Sequence, residues 1–208
     1  LRDEFGLDAR VIRMPCEGFK KSTEQVYTDV THEKKHILWA GRFTPEKRLE
    51  YFLELAKLFP EMIFDVIGDY NFERDTSYAD RMKEIAEPLD NVVLHGRVPH
   101  EKMGEYFNRS YLLCSTSLYE GFPNIYLEAW SVGLPLVTTF DPDGVVEKYG
   151  CGRTANDVES LRDKILELLD ETSWRDASEA TELYFRKFHT LDSSMVLFES
   201  VIASANAE

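Results

Sequence analysis

Two glutamates of this chain are spaced to hold a ligand through its hydroxyl groups. Glu120 and Glu128 lie eight positions apart, and the residues between them, Gly-Phe-Pro-Asn-Ile-Tyr-Leu, predict a turn that leads from a strand into a helix. A carboxylate accepts hydrogen bonds from two adjacent hydroxyls. The spacing therefore predicts two acids that face one cleft.

Two basic residues lie upstream, also directly after an apolar run. Arg42 follows residues 36–40, and Lys47 comes near the start of the next amphipathic segment. Both cations can reach a diphosphate at the carboxyl edge of a parallel sheet. Together the four side chains would suit a sugar attached to a nucleoside diphosphate. A surface turn and a solvated helix face are the alternative interpretation of the same residues.

Composition limits the class of protein. With 208 residues and 43% hydrophobic content, the chain can bury a core of its own. Its net charge of -14 argues against nucleic acid as a partner, since nucleic acids bind basic surfaces. Three widely spaced cysteines without a C-x-x-C pair indicate reduced thiols, and no metal site is expected. No apolar run is long enough to span a bilayer.

The elements that must position the four side chains can be predicted from hydrophobic periodicity. Strands are predicted at 36–40, 62–68, 91–95, 111–115 and 134–138, with helices at 49–59, 78–86, 100–108 and 123–132 between them. Three further helices are predicted at 158–169, 174–188 and 195–202. Strict alternation predicts an α/β fold with a doubly wound parallel sheet, Rossmann-like, followed by extra helices.

Three blocks of the sequence resemble a known family in order and spacing. They are Gly41-Arg42-x4-Lys47, the segment Asn-Val-Val-Leu-His-Gly-Arg-Val at 91–98, and Glu-Gly-Phe-Pro-Asn-x3-Glu-Ala-Trp-Ser-x-Gly-Leu-Pro at 120–135. The family is that of the retaining glycosyltransferases of family 4, and the similarity extends over about residues 1 to 190. Its members have the GT-B architecture, with two Rossmann-like domains that face each other across a cleft. This chain resembles the second, C-terminal domain, which binds the sugar-nucleotide donor.

The resemblance implies a role for each site residue. Arg42 and Lys47 would hold the diphosphate, Glu120 would contact the donor sugar as the catalytic residue, and Glu128 would bind the ribose. Further donor contacts are implied for residues of the turn and of the loop after the third strand: Gly121, Phe122, Pro123, Asn124 and Val98. No cofactor or metal is implied beyond the donor substrate itself.

The resemblance also implies how the chain is organised. Residues 1–33 would connect to a missing N-terminal acceptor domain, residues 34–190 would bind the nucleotide sugar, and residues 191–208 would form a C-terminal helix. The acceptor would be a saccharide or a lipid-linked hydroxyl in polysaccharide biosynthesis. The longer protein would be cytoplasmic, associating peripherally with the inner face of the membrane through the missing domain. The isolated segment would be inactive.

Two other functions stay open at this level. One is a GT-B relative, such as a sugar-nucleotide epimerase or a phosphorylase, and the other is a sugar-nucleotide-binding module without chemistry. The sequence also departs from the family's pattern in two places. Gly68-Asp69-Tyr70 replaces a usual Gly-x-Gly, and Arg48 stands where glycine is common. Asp141-Pro142-Asp143 is interpreted as a turn, and His95 and His100 are given no catalytic role.

Overall fold

The computed structural model describes residues 12–22, 35–69 and 76–205. The strands in this part of the chain are β1 (His36–Ala40), β2 (Ile63–Ile67), β3 (Val92–Gly96), β4 (Leu112–Ser115), β5 (Leu136–Thr138) and β6 (Gly152–Thr154). The helices are α1 (Leu49–Leu58), α2 (Ser77–Ala86), α3 (Met103–Arg109), α4 (Asn124–Ser131), α5 (Val145–Tyr149), α6 (Val158–Leu168), α7 (Glu171–Phe188) and α8 (Leu191–Ala205). Short 3-10 turns occupy Pro45–Lys47, His100–Lys102 and Pro142–Gly144.

The six strands form one parallel sheet in the order β3-β2-β1-β4-β5-β6. This order reverses direction between β1 and β4, so the loops that follow these two strands turn to opposite faces of the sheet. A crevice opens at such a point, beyond the carboxyl ends of the strands. The predicted doubly wound α/β fold is therefore confirmed, and the reversal lies where the four charged side chains were predicted.

Apolar side chains cover both faces of the sheet. In β1, Ile37 and Trp39 belong to one core cluster, which α1, α2 and α6 complete. Leu38 and the partly buried Ala40 belong to the other, formed with α3, α4, α5 and α7. This alternation explains why the strands read as continuous apolar runs, since a parallel strand is buried on both faces.

The last strand and the helix before it were not predicted. β6 consists of Gly-Arg-Thr, which has neither an apolar run nor an alternating pattern, and α5 spans five residues. The helix predicted at 100–108 begins as the 3-10 turn His100–Lys102 and continues as α3. Each of the five predicted strands overlaps an observed one, and β1 agrees at both ends.

Residues 12–22 lie without regular secondary structure across α4 and the end of α7. The Cys16 amide donates to the His189 carbonyl at 2.8 Å, and the Phe19 amide donates to Ser131 Oγ at 2.9 Å. The Phe19 ring lies 5.5 Å from the Phe107 ring, centroid to centroid. This part of the predicted entry segment is thus packed on the domain, whereas its other residues, 1–11 and 23–33, lie outside the described part of the chain.

A buried carboxylate in the middle of β2 links this strand to its neighbours. Asp65 is 1% exposed, and its oxygens meet His36 Nδ1 at 2.6 Å, His95 Nε2 at 2.5 Å and Arg109 Nη2 at 2.9 Å. Burial acts to raise the pKa of Asp65, but the bonds to the two histidines and the charge of Arg109 outweigh it and hold that pKa below its usual value. His95 therefore helps to hold β3 against β2.

No helix among residues 12–22, 35–69 and 76–205 is both long and apolar enough to cross a bilayer.

Candidate functional site

A cleft of about 800 Å³ opens beyond the carboxyl ends of β1 and β4. Seven of the predicted site residues line it: Arg42, Lys47, Val98, Glu120, Pro123, Asn124 and Glu128. The loops after β2 and β3 contribute further lining. The cleft thus collects side chains that are far apart in the sequence at the point where the strand order reverses.

The loop after β1 brings Arg42 and Lys47 to the cleft. The Gly41 amide donates to the Ile67 carbonyl at 3.0 Å and the Phe43 amide to the Asp69 carbonyl at 3.2 Å, so the chain continues beside β2 before it turns. The Phe43 ring is buried against Trp39, with centroids 5.9 Å apart. Because Phe43 anchors the loop, Arg42 is left exposed at the rim. Lys47 ends the 3-10 turn that Pro45 begins.

Lys47 and Glu120 meet inside the cleft. Lys47 Nζ donates to Glu120 Oε1, and Ser117 Oγ donates to the same oxygen at 2.7 Å. Each of the two charged side chains is 20% exposed. The residue predicted to bind diphosphate and the residue predicted to bind sugar are therefore in direct contact.

Glu128 lies on α4, eight residues after Glu120. Its Oε1 is 3.0 Å from His100 Nε2, and its side chain is 16% exposed, against 73% for the histidine. The carboxylate therefore reaches the cleft from a well-packed helix, with its contact partner largely in solvent. The contact between His100 and Glu128 was not predicted. It could have been suspected, because His100 follows the loop at the carboxyl end of β3.

A buried tyrosine fixes the start of α4 beneath the cleft. Tyr126 Oη contacts Ser115 Oγ at 3.1 Å and Thr138 Oγ1 at 2.6 Å, and donates to the Phe140 carbonyl at 3.1 Å. These partners lie at the ends of β4 and β5. Burial raises the pKa of Tyr126, so the hydroxyl keeps its proton. The first turn of α4 is thereby held at the cleft.

Two of the predicted donor contacts lie differently. The Phe122 side chain is not part of the cleft lining, because its ring packs 5.5 Å from the His189 ring and 6.4 Å from the Trp130 ring. Gly121 is exposed, and a Cβ added there would meet no atom within 4 Å. Its predicted contact could therefore be made only through the backbone. The packing of the Phe122 ring holds the turn onto the core, and its donor contact stays a prediction.

Sequence reasoning missed four polar residues of the cleft, one of which, Ser115, is the last residue of β4. Asp69, Arg97 and Ser117 also line the cleft, and each follows the end of a strand. In a parallel sheet these ends share one edge. Their position after strands could therefore have identified them as site residues, whereas their contacts could not be predicted from the sequence.

Asp141-Pro142-Asp143 forms a turn, as interpreted from the sequence. Asp141 Oδ1 accepts from the Val146 amide at 2.8 Å and Oδ2 from the Glu147 amide at 3.2 Å. The carboxylate thus caps α5. In the described ranges no group of three or more His, Cys, Asp or Glu side chains is arranged to hold a metal ion. Burial raises the pKa of Cys151 to about 12, which leaves that thiol protonated.

The chain is similar to known proteins both in sequence and in structure. The model of the family described as glycosyl transferases group 1 matches residues 34–171. The O-antigen chain mannosyltransferase B of Escherichia coli is 29% identical over 156 residues, which cover 71% of this chain and 40% of that protein.

Two solved structures are similar in fold. Sucrose-phosphate synthase from Thermosynechococcus elongatus superimposes with a TM-score of 0.80 at 17% identity, over 95% of this chain and 53% of that one. HepE of Anabaena, solved with UDP and glucose, superimposes with a TM-score of 0.71 at 16% identity, over 82% of this chain and 48% of that one. The chain spans about half the length, or less, of the curated relatives it matches.

Proposed function

The chain belongs to the group 1 glycosyl transferases, whose family model matches more than half of it, and from this premise we propose that it binds a nucleoside diphosphate sugar as the donor half of a retaining family 4 enzyme. The longer protein would transfer a hexosyl group to a hydroxyl of a saccharide or of a lipid-linked acceptor. The mannosyltransferase relative supports sugar transfer, and HepE, solved with UDP and glucose, supports the class of ligand.

One observation carries the proposal. The cleft at the reversal of the strand order places Arg42 and Lys47, from the β1 side, beside Glu120 and Glu128, from the β4 side. Cations on one side suit a diphosphate, and carboxylates on the other suit the hydroxyls of ribose and sugar.

The same arrangement suggests how transfer is assisted. When the bond between the anomeric carbon and the diphosphate oxygen breaks, negative charge builds up on the departing diphosphate, and preorganised cations stabilise it. Lys47 would leave Glu120 to bind that diphosphate. Glu120 would then be free to accept a hydrogen bond from a hydroxyl of the sugar. The acceptor oxygen then forms the new bond to the anomeric carbon, and its proton passes to the diphosphate. Retention of configuration would follow from attack on the face that the diphosphate leaves.

A thermal-shift panel tests the proposal directly. UDP, GDP, ADP and their common sugar conjugates are added at millimolar concentration, because a ligand that binds only the folded state raises the melting temperature. A rise confined to one base would identify the donor class.

Substitution of the two basic residues tests whether the nucleotide binds in the cleft. Arg42→Ala and Lys47→Ala should each weaken diphosphate binding by about 1.5–3 kcal/mol, the scale of a hydrogen bond to a charged group. Arg162→Ala, on the exposed side of α6, is the matched control and should change nothing. If no diphosphate shifts the melting temperature of the native chain, the donor-site proposal fails for this half of the protein.

A further inference from the structure

The backbone at Arg48 is unusual for a residue with a side chain. Arg48 joins the turn Pro45–Lys47 to α1 with φ 48° and ψ 51°, in the left-handed region. Residues other than glycine rarely adopt this conformation, because the Cβ crowds the backbone. The side chain at this position must therefore supply contacts that offset the strain.

The Arg48 guanidinium joins three loops at the carboxyl edge of the sheet. Nε donates to the Thr116 carbonyl at 2.7 Å, while Nη2 donates to the Ser117 carbonyl at 3.2 Å and to Thr139 Oγ1 at 2.7 Å. Thr139 Oγ1 in turn donates to the Ser117 carbonyl at 2.8 Å. One side chain on the loop after β1 is thus bonded to the loops after β4 and β5.

Two further hydrogen bonds, both accepted by backbone carbonyls, link the loops after β1 and β4. Together with the bonds of Arg48 they form what we call the joint between the loops. Thr116 Oγ1 donates to the Lys47 carbonyl at 2.6 Å, and the Leu118 amide donates to the Glu46 carbonyl at 2.8 Å. Lys47 belongs to one of the joined loops and Glu120 to the other. The joint therefore sets the separation of these two cleft residues.

We propose that Arg48 is a positioning residue of the donor site, which holds Lys47 and Glu120 at the separation that the diphosphate and the sugar require. Arg48 does not itself line the cleft, so it acts through the two loops. This inference rests on the proposed function. It gives a role to a residue whose type departs from the glycine common at this position.

Arg48→Gly is the informative variant, because glycine accepts the left-handed backbone while the guanidinium is lost. Asp143→Gly is its matched control. Asp143 is the other residue with a side chain and positive φ in the described ranges, at 56°, and it does not line the cleft. Both substitutions relieve backbone strain, but only the first removes the joint. Arg48→Lys keeps one cationic donor and should give an intermediate result.

Hydrogen exchange measures the joint without any ligand. The Leu118 amide, which bridges the two loops, should exchange about tenfold faster in Arg48→Gly and at the native rate in Asp143→Gly, since exchange reports local opening. Unchanged exchange at Leu118 would overturn the inference.

Titration with inorganic pyrophosphate measures the consequence for binding. Arg48→Gly should raise the dissociation constant about tenfold, within the range for residues that act through others. In a Lys47→Ala background the same substitution should have almost no further effect, because the residue through which it acts is gone. Equal losses in both backgrounds would refute positioning and indicate general destabilisation. Absence of pyrophosphate binding to the native chain would instead refute the proposed function, while the exchange result would still decide whether Arg48 holds the loops.

Discussion

Among single residues, the contact between Lys47 and Glu120 has the largest bearing on function. Both side chains are partly buried, and Ser117 adds a second donor to the same Glu120 oxygen. Each charge is therefore neutralised by the other before a ligand arrives. Under the proposed function, a diphosphate that binds Lys47 would have to displace Glu120, and this displacement would offset part of its attraction to Lys47.

Glu120→Gln should therefore tighten the binding of inorganic pyrophosphate. Loss of the competing carboxylate releases Lys47, and the gain should be up to about 1 kcal/mol, the range for a partly exposed ion pair. Isothermal titration calorimetry gives the affinity. Glu159→Gln, on the exposed side of α6, removes the same charge away from the cleft and should leave the affinity unchanged. Weaker binding in Glu120→Gln would contradict competition between the two ligands of Lys47.

Glu128→Gln should affect the binding of the nucleoside but not the binding of the phosphates. If the carboxylate binds ribose, the affinity for a nucleoside diphosphate should fall by about 1.5 kcal/mol or more, while that for pyrophosphate stays the same. His100→Ala, which removes the contact partner but keeps the carboxylate, is the control and should alter both affinities little. Equal losses for both ligands in Glu128→Gln would refute the ribose assignment.

The sequence could predict which side chains reach the cleft better than how they are held. Lys47 and Glu120 were identified because their types and their positions after strands match the needs of a ligand. Arg48 was noted as a departure, but its left-handed backbone and the direction of its guanidinium depend on carbonyls more than 60 positions away. For Phe122 the motif does not predict that the ring packs against His189, because that contact depends on a residue 67 positions away.

Among the elements, the ends of β1 and β2 approach each other more closely than any side chain would allow. A Cβ added to Gly68, whose φ is +132°, would lie 1.8 Å from the Gly41 carbonyl oxygen. Glycine is therefore required where the floor of the cleft is formed, because Gly41 and Gly68 both line it.

Gly68→Ala should destabilise the fold by about 3 kcal/mol, since the new methyl group meets backbone and the φ is unfavourable. Denaturant unfolding measures the change. Gly121→Ala is a matched control, because its Cβ direction is open, and its stability should stay within about 0.5 kcal/mol of the native value. If donor binding uses the Gly121 backbone, that variant should nevertheless bind nucleoside diphosphates more weakly. A stable Gly68→Ala variant would show that the two strand ends can move apart.

Elements of the sheet were predictable where burial gives them an apolar run. The strands β1, β2, β4 and β5 have such runs, because they are covered on both faces of the sheet. The edge strand β3 keeps an apolar run although Val93 and Leu94 are 39% and 40% exposed. β6 lies at the edge and reads Gly-Arg-Thr, and Gly152 is needed because a Cβ there would lie 1.9 Å from the Leu136 carbonyl oxygen. Close approach of two backbones leaves no hydrophobic pattern, so this strand could not be found by periodicity.

At the scale of the whole molecule, His189 connects three parts of the structure. It is 1% exposed, its Nδ1 donates to the Met14 carbonyl at 2.8 Å, and its ring packs on Phe122 and Tyr184. Burial lowers the pKa of His189 from its ordinary value of 6.5; the bond to Met14 opposes this shift, and the charge of Arg13 adds to it.

Stability should therefore fall as the pH drops below about 6.5, where the unfolded chain begins to bind a proton that folded His189 does not. The loss continues until the folded pKa is reached and then levels off. Asp65 acts in a separate window, because its lowered pKa gives stability that is lost only at pH values below about 3.8.

Denaturant midpoints between pH 8 and pH 5 measure the His189 contribution. His189→Asn should be less stable than the native chain at pH 8 but should lose less stability on acidification. His100→Gln, at a largely exposed site, is the control and should behave like the native chain. An identical pH dependence in His189→Asn and the native protein would exclude His189 as the source.

The net charge of the chain adds a consequence for the speed of binding. A molecule with a charge of -14 repels an anionic ligand at long range, while Arg42 and Lys47 attract it only once it is inside the cleft. Salt screens distant charges first, because the Debye length is about 8 Å at physiological ionic strength. Moderate salt should therefore speed the capture of a nucleoside diphosphate and also hasten its release. For a protein of this charge, we expect ionic strength to change the rates of binding and release at the cleft more than the affinity.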